Sequence, residues 1–156
     1  MFRQVKGIDT IMEQKENYEA LKLENQFCFP LYACARKVMN QYTPYLKPLG
    51  ITYTQYLVFM VLWEKDGISA GELCQKLYLD SGTVTPLLKK MEAAGFLYRT
   101  RSSEDERVVI IHLTQKGIEL KEQAKEIPMK MKECMPLSVE EAKSVYEILY
   151  KILNTK

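Results

Sequence analysis

The sequence predicts a mainly α-helical fold that contains one small β-hairpin. Two observations indicate this. Apolar residues recur at helical spacing through most of the chain, and three of these runs begin with Ser or Thr followed three residues later by Gln or Glu. Residues 96–113 instead look like two strands around a polar loop, and the second strand is rich in β-branched side chains.

The N-terminal part is expected to be helical with one interruption. Residues 17–41 carry apolar side chains at helical spacing, and Pro30 should bend or break this helix because proline lacks a backbone donor. Residues 42–50 contain two prolines and a glycine, so a connection is expected there. A capping box formed by Thr52 and Gln55 should open the next helix.

The middle of the chain is expected to form two short helices followed by the hairpin. Ser69 and Glu72 form a second capping box at the start of the first helix. Residues 80–83 look like a turn, and the helix after it carries a complete apolar stripe up to a stop near Gly95. In a helix-turn-helix the second helix enters the major groove of DNA, and a hairpin can reach the neighbouring minor groove. This order therefore predicts a winged helix-turn-helix.

Polar side chains of the second helix are the predicted DNA contacts. The apolar stripe should face the core, which turns the remaining side chains outward. Short hydroxyl side chains at a helix N-terminus suit base edges and phosphates, and lysines suit phosphates. A solvated face of an ordinary helix would show the same residues, so the order of elements carries the prediction. The outward residues are Ser81, Thr83, Thr85, Lys89 and Lys90, and the arginines in or beside the hairpin are Arg99, Arg101 and Arg107.

The C-terminal part should hold two helices. One follows Thr114 and is expected to bend at Pro128, and the other is opened by a third capping box at Ser138. The expected divisions are a flexible extension over residues 1–16, N-terminal helices over residues 17–50, the winged module over residues 51–114, and C-terminal helices over residues 115–156.

Composition restricts the protein class only weakly. The net charge is +2, so a DNA-binding face would have to concentrate its basic residues locally. No apolar run approaches the roughly 18–20 residues of a membrane span, and the first residues lack the apolar centre of a signal peptide. A cytoplasmic protein without membrane contact is expected. The four cysteines and one histidine fit no zinc motif, so neither a metal nor a cofactor is expected.

The wing sequence resembles that of the MarR family of transcription regulators. The residues that carry the resemblance are 105–114, with the sequence Asp-Glu-Arg followed by Val-Val-Ile-Ile-His-Leu-Thr. The family implies a homodimer whose N- and C-terminal dimerisation helices, over residues 17–50 and 115–156, interlock. Its two winged modules bind a palindromic operator in double-stranded DNA. It also implies that Arg107 enters the minor groove and that Asp105 orients Arg107 through an ion pair.

Three segments resemble OhrR proteins, the subgroup of this family that senses organic hydroperoxides. They are residues 23–29, 53–57 and 77–83. The resemblance implies that Cys28 is the redox sensor and that Tyr42 and Tyr53 donate hydrogen bonds to it. The chemistry is reasonable in itself, because a thiolate is the reactive form of cysteine and peroxide converts it to a sulfenic acid. A buried packing cysteine is the alternative for this residue.

The other cysteines leave two mechanisms open. Some OhrR proteins cap the sensor with a small thiol, and others form a disulfide between it and a second cysteine of the opposite subunit. Cys134 lies in the region of that second cysteine, but its surroundings match the family poorly, so a packing role is equally open. Cys34 and Cys74 are expected to pack on apolar helix faces. Pro30 departs from the aliphatic residue expected there, which puts the local helix geometry in question.

The sequence therefore predicts a repressor that organic hydroperoxide releases from DNA by oxidising Cys28. The alternative is a regulator that responds to a small aromatic ligand bound near Tyr42 and Tyr53. An enzyme is not expected, because a thiol peroxidase would need a histidine base or a C-x-x-C motif, and the DNA module would have no role.

Overall fold

A computed structural model describes residues 18–155, which divide into two compact units on either side of the boundary between residues 40 and 41. The predicted extension over residues 1–16 lies outside the described residues. The described elements are α1 (Cys28–Leu46), α2 (Tyr53–Glu64), β1 (Ile68–Ser69), α3 (Ala70–Leu77), α4 (Ser81–Ala93), β2 (Leu97–Arg101), β3 (Val109–Leu113), α5 (Gln115–Ala124), α6 (Ile127–Glu133) and α7 (Val139–Leu153), with short 3₁₀ turns at Glu19–Leu21 and Leu23–Asn25.

The start of the first helix differs from the prediction. The chain forms two 3₁₀ turns before α1, so the prediction that a helix begins at residue 17 is wrong. The Asn25 side-chain amide donates to the Glu19 carbonyl at 2.9 Å, which competes with helical bonding of that carbonyl. Pro30 does not interrupt a helix, because it is the third residue of α1. In the first turn its missing N–H would have had no helical partner.

The prediction of a connection over residues 42–50 is also wrong for the first half of this segment. Helix α1 continues through Pro44 to Leu46. Leu46 is buried, and burying a leucine side chain contributes about 1.5–3 kcal/mol, which offsets much of the ~3 kcal/mol that an internal proline costs. The turn then closes at Gly50, whose φ is +70°.

The helix starts of the winged module follow the predicted caps, with one difference. The Thr52 N–H donates to Gln55 Oε1 at 2.8 Å and the Gln55 N–H donates to Thr52 Oγ1 at 3.3 Å, which confirms the first capping box. Ser69 Oγ accepts from the Glu72 N–H, but the Glu72 carboxylate pairs with Lys65 at 3.3 Å. The second box is therefore only half formed, because a lysine draws its carboxylate away.

The sheet has three strands rather than the two of a hairpin. Strand β3 lies in the middle, β2 pairs with it along its whole length, and β1 pairs with its other edge through Ile68 and Ile111. The two hairpin strands begin one and two residues later than predicted. Their pairing confirms the predicted hairpin, while β1, with two residues, is too short to give a sequence signal.

The core of the module lies between α2, α4 and the sheet. Phe59 is fully buried and contacts the rings of Trp63 and Phe96, with centroids 5.2 and 5.3 Å away. Helix α5 approaches this core closely at Gly117, whose carbonyl accepts the Trp63 indole N–H at 2.9 Å. The other fully buried side chains include Leu62, Ile68, Leu73, Val84, Leu88, Met91, Leu97 and Ile111.

The C-terminal helices keep the predicted boundaries more closely. Helix α5 ends at Ala124 and α6 begins at Ile127 with Pro128 in its first turn, so the chain bends where the proline was expected to bend it. Ser138 and Glu141 form the complete predicted capping box of α7. None of the helices described combines the length and apolar character that a membrane span requires.

Candidate DNA-binding surface and redox cysteines

The N-terminus of α4 is built around Asp80. Asp80 Oδ1 accepts the Thr83 N–H at 2.8 Å and Oδ2 accepts the Thr83 hydroxyl at 2.9 Å. These hydrogen bonds hold the pKa of Asp80 below its ordinary value. Gly82 leaves room for this cap, because a Cβ there would lie 2.9 Å from Asp80 Oδ1. Residues 80–83 are therefore a helix cap with the first turn of α4, rather than the separate turn predicted.

The predicted outward face of α4 is exposed as expected. Val84, Leu88 and Met91 are buried, so the apolar stripe faces the core. The hydroxyl of Thr83 is already a donor to Asp80, which leaves its oxygen free only to accept. The exposed residues of the face are Ser81, Thr83, Thr85, Lys89 and Lys90.

The tip of the wing carries the ion pair that the resemblance implied. Arg107 Nε donates to Asp105 Oδ1 at 3.1 Å and its Nη2 donates to Oδ2 at 3.2 Å, while the Arg107 backbone N–H donates to Oδ1. These donors hold the pKa of Asp105 below its ordinary value. The Arg107 side chain is 91% exposed, so its guanidinium is oriented and still accessible.

The other two arginines of the wing have partners that the sequence did not reveal. Arg101 Nη1 donates to the Glu106 carbonyl at 2.8 Å, which fixes the base of the wing loop. Arg99 forms an ion pair with Glu92 of α4. Sequence spacing gave no signal for either contact, because each depends on the path of the hairpin.

Tyr42 and Tyr53 lie against each other, with ring centroids 4.7 Å apart, and Tyr56 lies 5.9 Å from Tyr42. Burial raises the pKa of Tyr42 and Tyr53, and for Tyr53 the neighbouring Tyr42 adds to it. Both hydroxyls therefore stay protonated at neutral pH and can donate hydrogen bonds. The structure brings together the two tyrosines expected to serve the sensor.

Cys28 is the first residue of α1 and is exposed, with a free thiol. Its side chain lies at the N-terminal end of a helix, where the aligned backbone dipoles favour negative charge. The flanking Phe27 and Phe29 are exposed as well. A hydrogen bond from Tyr42 or Tyr53 to this thiol stays a prediction.

Cys134 lies at the end of α6 and is an exposed free thiol. Its neighbour is Tyr45, whose pKa is raised first by the electrostatic interaction with Cys134 and then by burial. The Lys130 ammonium lies 5.6 Å from the Tyr45 ring centroid. Tyr45 was not among the residues that the sequence pattern indicated. Cys134 remains exposed beside these neighbours, and both its resolving role and its packing role stay predictions.

The remaining cysteines differ from one another. Cys74 is half-buried, in line with the packing role expected for it, whereas Cys34 is exposed and the expectation that it packs within this chain is wrong. Both expectations came from apolar neighbours at helical spacing. The helical pattern located the apolar face that holds Cys34, but this chain leaves that face uncovered.

An apolar groove of about 330 Å³ lies beside the tyrosine cluster. Tyr56, Met60 and Trp63 line one side and Pro128 lines another, with Lys121 and Lys125 at its edge. Tyr42 and Tyr53 do not line this groove. Within residues 18–155, no cluster of three or more His, Cys, Asp or Glu side chains could hold a metal ion.

Comparison with known proteins finds transcription regulators of similar sequence and structure. Residues 40–124 match the family model described as transcriptional regulator SarA/Rot. The chain is 46% identical over 144 residues to the organic hydroperoxide resistance transcriptional regulator of Bacillus subtilis, covering 92% of this chain and 97% of that protein. Reduced AbfR bound to DNA has a TM-score of 0.71 and 37% identity, covering 86% of this chain and 95% of that one. Disulfide-formed AbfR, a protein known from Staphylococcus epidermidis, has a TM-score of 0.59 and 34% identity, covering 90% and 98%.

Proposed function

The chain belongs to the SarA/Rot family of transcriptional regulators, which confirms the predicted winged helix-turn-helix of MarR type, and we propose that it is a cytoplasmic repressor released from DNA by organic hydroperoxide. The observation that carries this proposal is the similarity, over nearly the whole chain, to the Bacillus subtilis regulator of organic hydroperoxide resistance. The exposed reading face and the oriented wing arginine support the DNA-binding part. The paired tyrosines and the accessible cysteines support the redox part.

DNA recognition is assigned to α4 and the wing. The hydroxyls of Ser81 and Thr85 are free to meet base edges or phosphates, and Lys89 and Lys90 are placed to neutralise phosphates. Arg107, held by Asp105, is proposed to enter the neighbouring minor groove. The operator is proposed to be a palindrome, because a two-fold dimer presents two such modules.

The homodimer is proposed to form through the terminal helices. Helix α7 has no buried side chain among those described, although it carries a long series of apolar residues. A face of this kind needs a partner, since contiguous exposed apolar surface is costly in water. A second copy of the chain provides the same face, as a two-fold interface requires. The exposed apolar residues of this helix include Val145, Tyr146, Ile148, Leu149, Ile152 and Leu153.

The switch is proposed to begin at Cys28. Its thiolate attacks the peroxide oxygen, an S–O bond forms as the O–O bond breaks, and the peroxide leaves as an alcohol after taking a proton. The sulfur loses two electrons and the peroxide gains them. Hydrogen bonds from protonated Tyr42 and Tyr53 would stabilise the thiolate before this step.

Cys134 is proposed as the resolving cysteine. Its thiolate attacks the sulfenic sulfur of Cys28 in the partner subunit, an S–S bond forms, and the hydroxyl leaves as water after taking a proton. The accessible position of Cys134 beside Tyr45 supports this role. A disulfide requires Cα atoms within about 7 Å, so its formation can move the helices that carry the two winged modules.

The experiment that tests the proposal is operator binding by gel shift, for wild type and Cys28→Ser, with cumene hydroperoxide, hydrogen peroxide or an aromatic acid added. We expect the organic hydroperoxide to release wild type but not Cys28→Ser. Release of both proteins at equal peroxide concentration would contradict the sensor role. Release by the aromatic acid, independent of Cys28, would establish the ligand-binding alternative instead.

The resolving role has its own measurement. After treatment with hydroperoxide, wild type should give a dimer-sized band on a non-reducing gel, and Cys134→Ser should give none. Cys34→Ser is the matched control, because it removes another exposed thiol. A dimer band that survives Cys134→Ser and disappears with Cys34→Ser would assign the resolving role to Cys34.

A further inference from the structure

The ion pair between Glu92 and Arg99 joins the reading helix to the wing. Glu92 lies in the last turn of α4, and Arg99 lies in the middle of β2. Glu92 Oε2 accepts from Arg99 Nε at 3.0 Å and from Nη2 at 2.5 Å. Glu92 Oε1 accepts from the Arg99 backbone N–H at 3.1 Å. One carboxylate therefore holds both the side chain and the backbone of a wing residue.

This pair is more sheltered than the pair at the wing tip. The side chains of Arg99 and Glu92 are 25% and 35% exposed, whereas that of Arg107 is 91% exposed. The Arg99 hydrogen bonds and charge hold the pKa of Glu92 below its ordinary value. The Glu92 carboxylate is therefore ionised at neutral pH, and charge-assisted hydrogen bonds from arginine in this forked geometry are strong and directional.

The hydrogen bond from the Arg99 backbone N–H to Glu92 also satisfies a donor at the edge of the sheet. Strand β2 lies at the edge of the sheet, with β3 on one side. The Arg99 N–H donates to Glu92, so it points away from β3 and would otherwise be an open edge donor. The chain between α4 and β2 is only a tight turn around Gly95, whose φ is +74°. The turn and the ion pair together fix two points of the wing against the helix.

We propose that the Glu92–Arg99 pair sets the position of the wing relative to α4, and that both are positioning residues for operator recognition. This rests on the proposed function, in which α4 and the wing contact DNA. Because the helix and the wing must enter neighbouring grooves at the same time, their separation decides whether both contacts form. Loss of the pair would therefore weaken specific binding without removing any DNA-contacting group.

If Arg99 instead contacted a DNA phosphate directly, the expected change in operator affinity would have the opposite sign. In that case Glu92 competes with DNA for the guanidinium, and its negative charge also repels the backbone. Removal of the Glu92 charge would then strengthen binding. If the pair instead positions the wing, removal of the same charge weakens binding. The sign of the change separates the two roles.

The test is Glu92→Gln, with operator affinity measured by fluorescence anisotropy at fixed salt concentration. We expect an affinity loss of about tenfold for the operator, which lies within the range of couplings between contacting residues. Binding to non-operator DNA should change less than about twofold, because that binding depends on phosphate charge. Unchanged or tighter operator binding would overturn the proposal. An equal loss on both DNAs would also overturn it, as the mark of general destabilisation.

The matched control is Glu104→Gln, which removes a carboxylate from the wing loop outside this pair. It should leave operator affinity equal or higher. A double-mutant cycle with Arg99→Gln adds a second measurement: the variant Glu92→Gln/Arg99→Gln should bind no more weakly than the weaker single variant. Additive losses would show that the two residues act separately. If Glu92→Gln does not fold, Glu92→Asp, which keeps the charge but shortens the reach, takes its place with the same expected loss.

Arg107→Ala separates this inference from the proposed function. If Arg107→Ala leaves operator binding unchanged, the wing does not contact DNA as proposed and both claims fail. If Arg107→Ala weakens binding and Glu92→Gln does not, only the positioning role of Glu92 and Arg99 fails.

Discussion

The winged module and the last helix, α7, place their apolar side chains in opposite environments. In the module, Phe59, Leu73 and Met91 are fully buried within a single chain. In α7, Ile148 is 56% exposed and Tyr146 is 61% exposed, and none of the helix's described side chains is buried. The module therefore completes its core alone, while α7 leaves its apolar face to be covered by another surface.

This difference separates the part of the chain that is proposed to read DNA from the part that is proposed to carry the redox switch. A closed core holds α4 and the wing in fixed geometry, which DNA recognition requires. The open apolar face would be covered in the proposed homodimer, and subunits that meet at an interface can change their arrangement between two states. Residues 18–40 are like α7 in this respect, because Leu21, Phe27 and Tyr32 are each more than half exposed. Cys28, the proposed sensor, lies in this open part of the chain.

The largest effect on assembly and operator affinity is expected from charge placed on the exposed apolar face of α7. Leu149→Asp/Ile152→Asp puts two carboxylates on α7 where a partner would bury them, and unpaired charges in an apolar interface are strongly unfavourable. We expect the protein to become monomeric at micromolar concentration, measured by sedimentation, and to lose operator affinity about a hundredfold or more because two half-sites no longer bind together. Lys143→Asp on the same helix is the control and should remain dimeric. A dimeric double variant would show that this face is not the interface.

A smaller effect is expected inside the closed module at Gly117. A Cβ at this position would lie 2.2 Å from the Phe96 carbonyl oxygen, so α5 must shift away from the sheet. Gly117→Ala should lower the free energy of unfolding by about 1–3 kcal/mol, as overpacked cores do. Gly71→Ala is the matched control, because its Cβ would meet only ordinary contact at 3.8 Å. Alanine in a helix should stabilise by about 0.5–1 kcal/mol there. Equal midpoints in urea for the two variants would contradict the close approach of α5.

The same two regions show what the sequence could reveal. Local chemistry was sufficient for the capping boxes at Thr52 and Ser138, and the apolar stripe of α4 predicted its outward face. The capping side chains act within one turn, so their partners lie a few residues away in the sequence. Pro30 and Pro44 misled the prediction, because the cost of a proline depends on its position in the helix and on the burial of neighbours.

Contacts across the fold could not be predicted in this way. Glu92 meets Arg99 only because the chain reverses at Gly95 and the hairpin follows a particular path. Tyr45 and Cys134 lie on helices far apart in the sequence, and their contact depends on the packing of α1 and α6. Neither composition nor periodicity indicates such pairs. The resemblance to known regulators supplied Asp105 and Arg107, whose ion pair the structure contains.

The smallest effect is expected from the titration of Asp80, the cap of α4. The Thr83 hydrogen bonds hold the pKa of Asp80 below its ordinary value in the folded chain, so the ionised cap contributes stability above the unfolded pKa of about 4. That contribution is lost as the pH falls through the lower folded pKa. Asp80→Asn keeps a good capping side chain but cannot ionise. Wild type should therefore have the higher thermal midpoint at pH 7, and the difference should shrink towards pH 3. A difference that stays constant over this interval would mean that the charge of Asp80 contributes nothing to the stability of α4.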